Sequence, residues 1–273
     1  MEQTIKQLLQ HQIEEPNRKA KLLVSFLVQK KPSYVLTHDQ EEVPKEIVQK
    51  VEQAIEELSR GVPLQYIVHH QEFMKLNFWV DENVLIPQPD TEILVEKVIE
   101  IASSMEKPTI LDLATGSGCI AISLANYLPD AVIMASDISE KALEVAKKNA
   151  LLNNVEERIT FVQANMLIDT MPVFSIIVSN PPYIQTKVIS QLDKDVQKEP
   201  ILALDGGEDG LLYYRIIAEN AKRHLTKDGY LCLEIGFDQK RAVNQLLEEK
   251  GYTNREVIKD LAQKDRVIIA RRI

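Results

Sequence analysis

The chain has 273 residues, is 45% hydrophobic and carries a formal net charge of −9 at pH 7. This length suffices for a large and a small domain, and the negative charge argues against binding through a broad nucleic-acid backbone surface, without excluding a local basic patch. No apolar run approaches the roughly 18 residues of a membrane helix, and the first residues lack a signal-peptide pattern, so we expect a soluble cytoplasmic enzyme.

Residues 1–60 have apolar positions at helical spacing within a background rich in Lys, Glu and Gln. Pro32 and Pro44 separate the segments of this pattern. We therefore predict a small all-helical domain over residues 1–60. The apolar positions that support it are Ile5, Leu8, Leu9, Leu22, Leu23, Phe26, Leu27, Ile47, Val51, Ala54, Ile55 and Leu58.

Residues 61–90 are denser in β-branched and aromatic residues and are interrupted by prolines. The segments 61–67, 72–74, 77–80 and 84–89 all have this composition, which is typical of extended structure. We therefore predict a β-hairpin linker over residues 61–90.

From residue 91 onward, short apolar segments alternate with amphipathic ones. This alternation predicts a doubly wound α/β sheet with helices on both faces, in a domain over residues 91–273. Segments 255–258 and 266–270 are candidates for a terminal antiparallel hairpin. The predicted parallel strands are 109–113, 131–136, 159–163, 175–179 and 230–235, and the predicted helices include 119–128, 139–151 and 211–225.

The first predicted strand carries a nucleotide-type site. The sequence from Asp112 to Gly118 leaves this strand and opens a helix, and its glycines allow the backbone to approach a ligand and expose amide N–H groups. Asp137 ends the next predicted strand, where a carboxylate can accept hydrogen bonds from ribose hydroxyls. This pattern predicts a cofactor site, because a strand, a glycine turn, a helix, a second strand and an acidic residue follow one another in this order.

The same residues leave the cofactor open. Gly116-x-Gly118-x-x-Ala121 also satisfies the dinucleotide fingerprint, so NAD is a competitor. Asp112, just before the glycines, suits the ammonium group of S-adenosylmethionine better than a pyrophosphate. The alternative role for Asp112 is that of a helix or turn cap.

A second feature favours S-adenosylmethionine. The apolar segment 174–179, which predicts a buried parallel strand, ends at Asn180-Pro181-Pro182-Tyr183. The prolines have no N–H to donate and a fixed φ, so the chain leaves the sheet as a rigid turn. Such a turn can present the Asn180 oxygen and nearby main-chain carbonyls to a planar –NH2 group. The alternative is an ordinary strand-ending turn.

The two cysteines, Cys119 and Cys232, both lie in apolar sequence. They form neither a disulfide framework nor a zinc pattern. We expect them to be small buried residues, and we predict no metal site.

Nearly the whole chain resembles the release-factor glutamine methyltransferase family, class I S-adenosylmethionine-dependent enzymes that modify a protein glutamine. The Asn-Pro-Pro-Tyr motif alone is shared with amino-directed DNA methyltransferases, whereas the linker motifs and residues 199–211 are more specific. The resemblance rests on residues 63–67, 85–92, 112–118, 180–183, 199–207, 209–211, 214–215 and 234–236.

The resemblance implies a Rossmann-like class I methyltransferase domain that uses S-adenosylmethionine. It implies methyl transfer to the side-chain amide nitrogen of the glutamine in the Gly-Gly-Gln loop of peptide-chain release factors, with no stable nucleic-acid or membrane partner. A methyltransferase of small molecules does not need an extra helical domain. We therefore expect residues 1–60 to recognise the protein substrate.

Carried over onto matching positions, the resemblance implies catalytic roles for Asn180, Pro181 and Tyr183, and substrate binding by these residues and Pro182. We infer that the Asn180 side chain and the Pro181 carbonyl accept the two amide hydrogens. Tyr183 would form an aromatic wall beside the amide, or else simply pack in the core. The implied cofactor-binding residues are Asp112, Ala114, Thr115, Gly116, Ser117, Gly118, Asp137, Met166 and Asn180.

The sequence departs from the family pattern at several positions. Ala114 stands where a glycine is usual, Gln88 where Arg is usual, and Asp90 where Glu is usual. Asn165-Met166 replaces an Asp followed by an aromatic residue, and Gln263-Lys264 replaces a glycine-containing segment. These departures bear on cofactor affinity more than on the reaction class.

Three other functions are alternatives. An amino-directed (adenine) nucleic-acid methyltransferase would need a basic groove facing the nucleic acid. An NAD-dependent oxidoreductase would bind its dinucleotide at the glycine turn. A helical adaptor with a degenerate cofactor domain, suggested by Ala114 and Met166, would show no turnover.

Overall fold

The computed structural model describes residues 2–38 and 41–273, without the side chains of Glu2, Ile5 and Leu8. The predicted apolar positions Ile5 and Leu8 therefore lie outside the described side chains. The chain folds into two compact units, Met1–His70 with Asp193–Lys198, and Gln71–Leu192 with Glu199–Ile273. In the described ranges, no helix combines the length and apolar character required to cross a membrane.

The first unit is helical. Its helices α2 and α3 begin with Pro16 and Pro32, where the missing N–H costs nothing because first-turn N–H groups have no partner within a helix. Pro44 directly precedes the longest of its helices. The elements are α1 (Glu2–Gln10), α2 (Pro16–Leu27), α3 (Pro32–Thr37), α4 (Lys45–Ser59) and α5 (Leu64–Val68).

Helical spacing identifies half of the buried core of this unit, among the described residues. The predicted residues Leu23, Val51, Ala54, Ile55 and Leu58 are all buried in one hydrophobic cluster. Leu9 and Phe26, predicted on the same apolar faces, are exposed instead. In α2 the buried face is centred on Ala20, Leu23 and Val24, which leaves Phe26 at its edge.

Helix α5 corrects the prediction of extended structure for residues 61–67. Pro63 has the φ of a helix start, and the helix follows it directly. Leu64 and Val68, four residues apart, face the same side and pack in the core of the first unit. Burial of one helical face thus outweighs the β propensity of this segment.

The predicted hairpin is confirmed in a shorter form, in the second unit. Strands β1 (Gln71–Phe73) and β2 (Leu76–Phe78) pair antiparallel. Met74 and Lys75 between them both have positive φ, which matches the right-handed twist of a tight hairpin.

The rest of the second unit is an α/β sheet with strand order β5-β4-β3-β6-β7-β9-β8. Strands β3 to β7 run parallel, and β9 is antiparallel to both β7 and β8. Its elements are α6 (Pro89–Ala102), β3 (Thr109–Leu113), α7 (Cys119–Tyr127), β4 (Val132–Asp137), α8 (Glu140–Leu152), β5 (Ile159–Gln163), β6 (Phe174–Ser179), α9 (Thr186–Ile189), α10 (Ile201–Leu204), α11 (Leu212–Asn220), β7 (Leu225–Glu234), α12 (Lys240–Glu249), β8 (Tyr252–Lys259) and β9 (Asp265–Arg272).

The sequence predicts the bounds of these strands to within two residues, except at the first residues of β7 and β8; β8 begins at Tyr252, three residues before the predicted segment. Strand β7 begins at Leu225, whereas the prediction extends a helix to that residue. The helix α11 ends at Asn220 and is followed by a 3-10 turn at Ala221–His224. Leu225 is fully buried and pairs with Phe174, so burial in the sheet outweighs the helical pattern here.

The order of the strands creates a switch point between β3 and β6. The chain continues from β3 to β4 and β5 on one side, and from β6 to β7 on the other. Leu113 and Ser179 are partners at the carboxyl ends of the two strands, and the Ser179 hydroxyl donates to the Leu113 carbonyl at 2.7 Å. The turns that follow therefore begin side by side, where open α/β sheets bind ligands.

Asn149 of α8 connects the hairpin region to the glycine turn. Its Nδ2 donates to the carbonyls of Trp79 and Ser117, both at 2.9 Å, and its Oδ1 accepts from Trp79 N at 2.7 Å. The side chain is fully buried. One amide thus satisfies three backbone groups.

We expect Asn149→Ala to lower the free energy of unfolding by about 2–4 kcal/mol, because each buried group left without a partner costs about 1–3 kcal/mol and relaxation recovers part of the sum. Asn153→Ala is the matched control, since Asn153 Nδ2 bonds to the Asn77 carbonyl in a more exposed position. Its expected loss is below about 1 kcal/mol. Urea denaturation measures both values. Equal losses would contradict the structural role given to Asn149.

Candidate active site

A cleft of about 980 Å³, part of it open to solvent, lies at the carboxyl ends of β3, β4 and β6. Most of the residues predicted from sequence meet there. Those that border the cleft are Ala114, Thr115, Gly116, Ser117, Asp137, Met166, Asn180 and Pro182. Its lining, within the described residues, does not include Asp112, Gly118, Pro181 or Tyr183.

The turn after β3 has a left-handed backbone at alternate residues. Ala114, Gly116 and Gly118 have φ values of 56°, 54° and 81°. A Cβ on Gly116 would meet no described atom within 4 Å, so its missing side chain leaves open space in the cleft. A Cβ on Gly118 would lie 2.9 Å from Ile122 Cδ1 and 3.1 Å from Ala146 Cβ. The absence of a side chain at Gly118 therefore allows the close packing of α7 against α8.

Asp112 lies behind this turn and is fully buried. Its Oδ2 accepts hydrogen bonds from Thr115 Oγ1 at 2.6 Å and Ala121 N at 3.2 Å, the capping role that the sequence leaves as an alternative. Its Oδ1 is buried without a hydrogen-bond partner among the described residues. Burial raises the pKa of this carboxyl to about 7, although both hydrogen bonds lower it.

Asp137 stands at the end of β4 and borders the cleft directly. Its two oxygens accept from Ser139 N and Gly116 N, each at 2.9 Å. These bonds hold the carboxylate against the glycine turn, and each oxygen keeps a lone pair for a ligand. Burial raises the pKa of Asp137, against the lowering effect of these backbone hydrogen bonds.

The Asn180 turn adjoins the glycine turn across the switch point. Asn180 Nδ2 donates to Thr91 Oγ1 at 3.1 Å, and both residues border the cleft. Pro182 also borders it. Tyr183 instead packs against the hydrophobic core of the second unit, and its hydroxyl lies 3.5 Å from Glu234 Oε1. These contacts are those of core packing, the alternative role for Tyr183, and its role as an aromatic wall beside the substrate stays a prediction.

Two glycines allow a neighbouring segment to approach this turn. A Cβ on Gly206 would lie 2.7 Å from Tyr183 Cα, and one on Gly210 would lie 2.4 Å from the Tyr183 carbonyl oxygen. The same carbonyl accepts a hydrogen bond from Gln239 Nε2 at 3.0 Å. Residues 199–211, identified by sequence only as a family motif, thus support the Asn180 turn.

Sequence reasoning missed several lining residues. Residues 85–92 and 199–207 were identified as motifs, but Gln88, Thr91 and Leu202 were not assigned to the site that they border. The buried Glu199 Oε2 accepts from Ile86 N at 2.8 Å, which joins these two walls. Cys119, expected to be buried, is half-buried and borders the cleft because α7 begins there. Cys232 is buried as expected.

Comparison with known protein families identifies both parts of the chain. The methyltransferase small domain matches residues 88–262, and the PrmC N-terminal domain matches residues 1–68. The ribosomal protein L11 methylase from Lactobacillus delbrueckii subsp. bulgaricus has a similar structure, with a TM-score of 0.52 at 22% identity, covering 71% of this chain and 84% of that chain. At this identity the likeness shows the fold alone.

Two relatives show the family over nearly the whole chain. The release factor glutamine methyltransferase of Moorella thermoacetica is 41% identical over 272 residues, which cover 99% of this chain and 96% of the relative. That of Clostridium acetobutylicum is 38% identical over 255 residues, covering 92% and 90%. The chain belongs to the release factor glutamine methyltransferase family.

Proposed function

We propose that this chain transfers a methyl group from S-adenosylmethionine to the side-chain amide nitrogen of the glutamine in the Gly-Gly-Gln loop of peptide-chain release factors, in the cytoplasm. The supporting observation is the pairing of Leu113 with Ser179, which sets the glycine turn and the Asn180 turn beside one cleft. The proposed hydrogen-bond acceptor for the substrate –NH2 group, on the Asn180 turn, then lies next to the proposed cofactor site at the glycine turn.

The residues of the cleft fit S-adenosylmethionine, whose sulfonium supplies a reactive methyl group once bound. Asp137 would accept hydrogen bonds from the ribose hydroxyls with the lone pairs left by its backbone contacts. Asp112 is the predicted partner of the ammonium group, and its Oδ1 has no hydrogen-bond partner among the described residues, although the residue is fully buried behind the turn. We assign the backbone of Ala114, Thr115, Gly116 and Ser117 to contact with the bound cofactor, and Met166 to contact with its adenine base. Gly118 completes this predicted set, and Ile122 and Ala146 occupy the space where its Cβ would lie.

The chain's task is to place the amide nitrogen. An amide nitrogen is a poor nucleophile because its lone pair is delocalised into the carbonyl. The Asn180 oxygen and the Pro181 carbonyl would accept its two hydrogens, fix its direction and stabilise the charge that develops. Pro182 would keep this turn rigid, and Tyr183 would form an aromatic wall beside the amide. The nitrogen sheds its proton after transfer, which agrees with the lack of histidine among the described residues that line the cleft.

The first prediction concerns Asn180. Asn180→Ala should lower kcat by about 10²–10³, the usual cost of losing one preorganised polar contact, with little change in cofactor affinity. Asn220→Ala, whose side chain bonds to the Ile216 carbonyl in α11, is the matched control and should keep normal rates. A release factor with glutamine changed to asparagine should be a very poor acceptor, because its nitrogen lies one methylene short.

Single-turnover rates with these enzyme and substrate variants decide the point. Rates for Asn180→Ala close to those of the unchanged enzyme would rule out the mechanism. Methylation of adenine in DNA at a rate comparable to that of the release factor would favour the nucleic-acid alternative.

The second prediction concerns Asp137. Asp137→Ala should weaken S-adenosylmethionine binding by about ten- to a hundredfold, since hydrogen bonds to charged groups contribute about 1.5–3 kcal/mol. Asp137→Asn keeps one acceptor oxygen and should lose less. Calorimetry measures both affinities, and thermal unfolding checks that the Gly116 turn stays folded. Unchanged affinity in Asp137→Ala would place the ribose elsewhere.

The third prediction concerns the helical unit, which we propose recognises the release factor. A protein substrate offers surface beyond its reacting loop. Removal of residues 1–70, a boundary that keeps Leu64 and Val68 with their own core, should raise KM for the intact release factor and leave cofactor binding nearly unchanged. Cofactor calorimetry is the control for folding. Equal KM values before and after removal would make the unit merely structural.

A further inference from the structure

Thr91 connects the Asn180 turn to a buried carboxylate. Its Oγ1 lies 3.1 Å from Asn180 Nδ2 and 2.6 Å from Glu234 Oε2. Thr91 stands in the first turn of α6 and Glu234 at the end of β7, so the contacts join three elements. Thr91 and Glu234 are only 3% and 2% exposed, which leaves little access for water to replace either partner.

When Glu234 is ionised, the chemistry of the three groups fixes the direction of these hydrogen bonds. A threonine hydroxyl has one proton, and an ionised carboxylate only accepts. Thr91 therefore donates to Glu234 and accepts from the Asn180 amide. If the Asn180 amide were reversed, its oxygen and Glu234 would both need the single proton of Thr91. The nitrogen of Asn180 thus faces Thr91, and its oxygen is turned away from Thr91.

The surroundings of Glu234 determine how readily its carboxyl ionises. The Tyr183 hydroxyl lies at 3.5 Å from Oε1, and the Tyr214 hydroxyl donates to the Glu234 backbone carbonyl at 2.9 Å. Burial raises the pKa of Glu234 to about 7, whereas the Thr91 hydrogen bond and the charge of Arg266 lower it. A carboxylate buried this deeply is costly unless its hydrogen bonds are satisfied. Thr91 provides the shortest of them.

We propose that Thr91, supported by Glu234, is a positioning residue that orients the side-chain amide of Asn180 and keeps its oxygen available to the substrate. The inference rests on the proposed function, because it concerns how Asn180 meets the glutamine amide. Neither Thr91 nor Glu234 needs to touch the reacting atoms. Their effect passes entirely through Asn180.

A purely structural role would involve the same contacts, since they also tie α6 to β6 and β7. The two roles differ in what they change. Loss of structural support lowers stability and disturbs cofactor binding. Loss of the Asn180 orientation lowers kcat and leaves KM and cofactor affinity nearly unchanged, because the missing alignment acts on the transition state.

Thr91→Val separates these roles, because it removes the hydroxyl and preserves the shape. We expect kcat for the release factor to fall by about tenfold to a hundredfold, as happens when a group that orients a site residue is lost. Thr91→Ser restores the hydroxyl and should return kcat to within about threefold of the original value. Thr109→Val is the matched control, since the Thr109 hydroxyl accepts from Ser175 N at 2.9 Å at the opposite end of β3. It should lower stability and leave kcat unchanged.

NMR of the Asn180 side-chain amide provides a readout that does not depend on turnover. Its two proton signals, assigned by their loss in Asn180→Ala, should shift in Thr91→Val and return in Thr91→Ser. Three results would each overturn the inference. The amide signals could stay unshifted in Thr91→Val, or kcat could stay unchanged in that variant. The third is a loss of kcat that Thr91→Ser does not restore and that accompanies weaker cofactor binding. Failure of the unchanged enzyme to methylate the release factor would instead overturn the proposed function, and the amide signals would still report whether Thr91 orients Asn180.

Discussion

The parallel pairing of β3 with β6 is the constraint on which the site depends. Both strands are fully buried over most of their length, and they end together at Leu113 and Ser179. The Ser179 hydroxyl bonds across to the Leu113 carbonyl, which reinforces this alignment. Two turns of different chemistry therefore start from adjacent points. A shift of register by one residue would turn every side chain of the moved strand to the opposite face of the sheet and separate the turns.

Much of this arrangement is predictable from sequence. Periodicity predicts the strands 109–113 and 159–163 at the bounds that the structure has, and the antiparallel pairing of β8 with β9 also agrees. The fold class and the family are confirmed. Among the predicted site residues, the locations of Asp137 and Asn180 are predictable from a simple rule. Residues at the carboxyl ends of parallel strands collect at one edge of the sheet.

The parts that could not be predicted depend on tertiary contacts. Residues 64–68 form a helix because Leu64 and Val68 reach a common core, which local β propensity does not reveal. Thr91 precedes Asn180 by 89 residues, and only the packing of α6 beside β6 and β7 brings the two side chains together. The motif predicts Tyr183 beside the substrate, and it does not reveal that the half-buried ring also packs against the core of the second unit.

Three of the departures from the family pattern have a common physical feature. Ala114, Met166 and Gln263 all have positive φ, a conformation in which glycine carries no steric penalty. Each such residue costs about 1 kcal/mol relative to glycine, and the surrounding fold supplies that energy. Ala114 and Met166 both border the cleft, so their side chains form part of its lining.

The most direct test of the account is to locate the transferred methyl group. Intact release factor would be incubated with the enzyme and S-adenosylmethionine that carries an isotopically labelled methyl group, with DNA present as a competing substrate. Tandem mass spectrometry then identifies the labelled atom. The account predicts label on the side-chain amide nitrogen of the Gly-Gly-Gln glutamine. It predicts no label when the Asn180→Ala enzyme is incubated with the same substrates for the same short time. Label on adenine, or on another residue of the release factor, would contradict it.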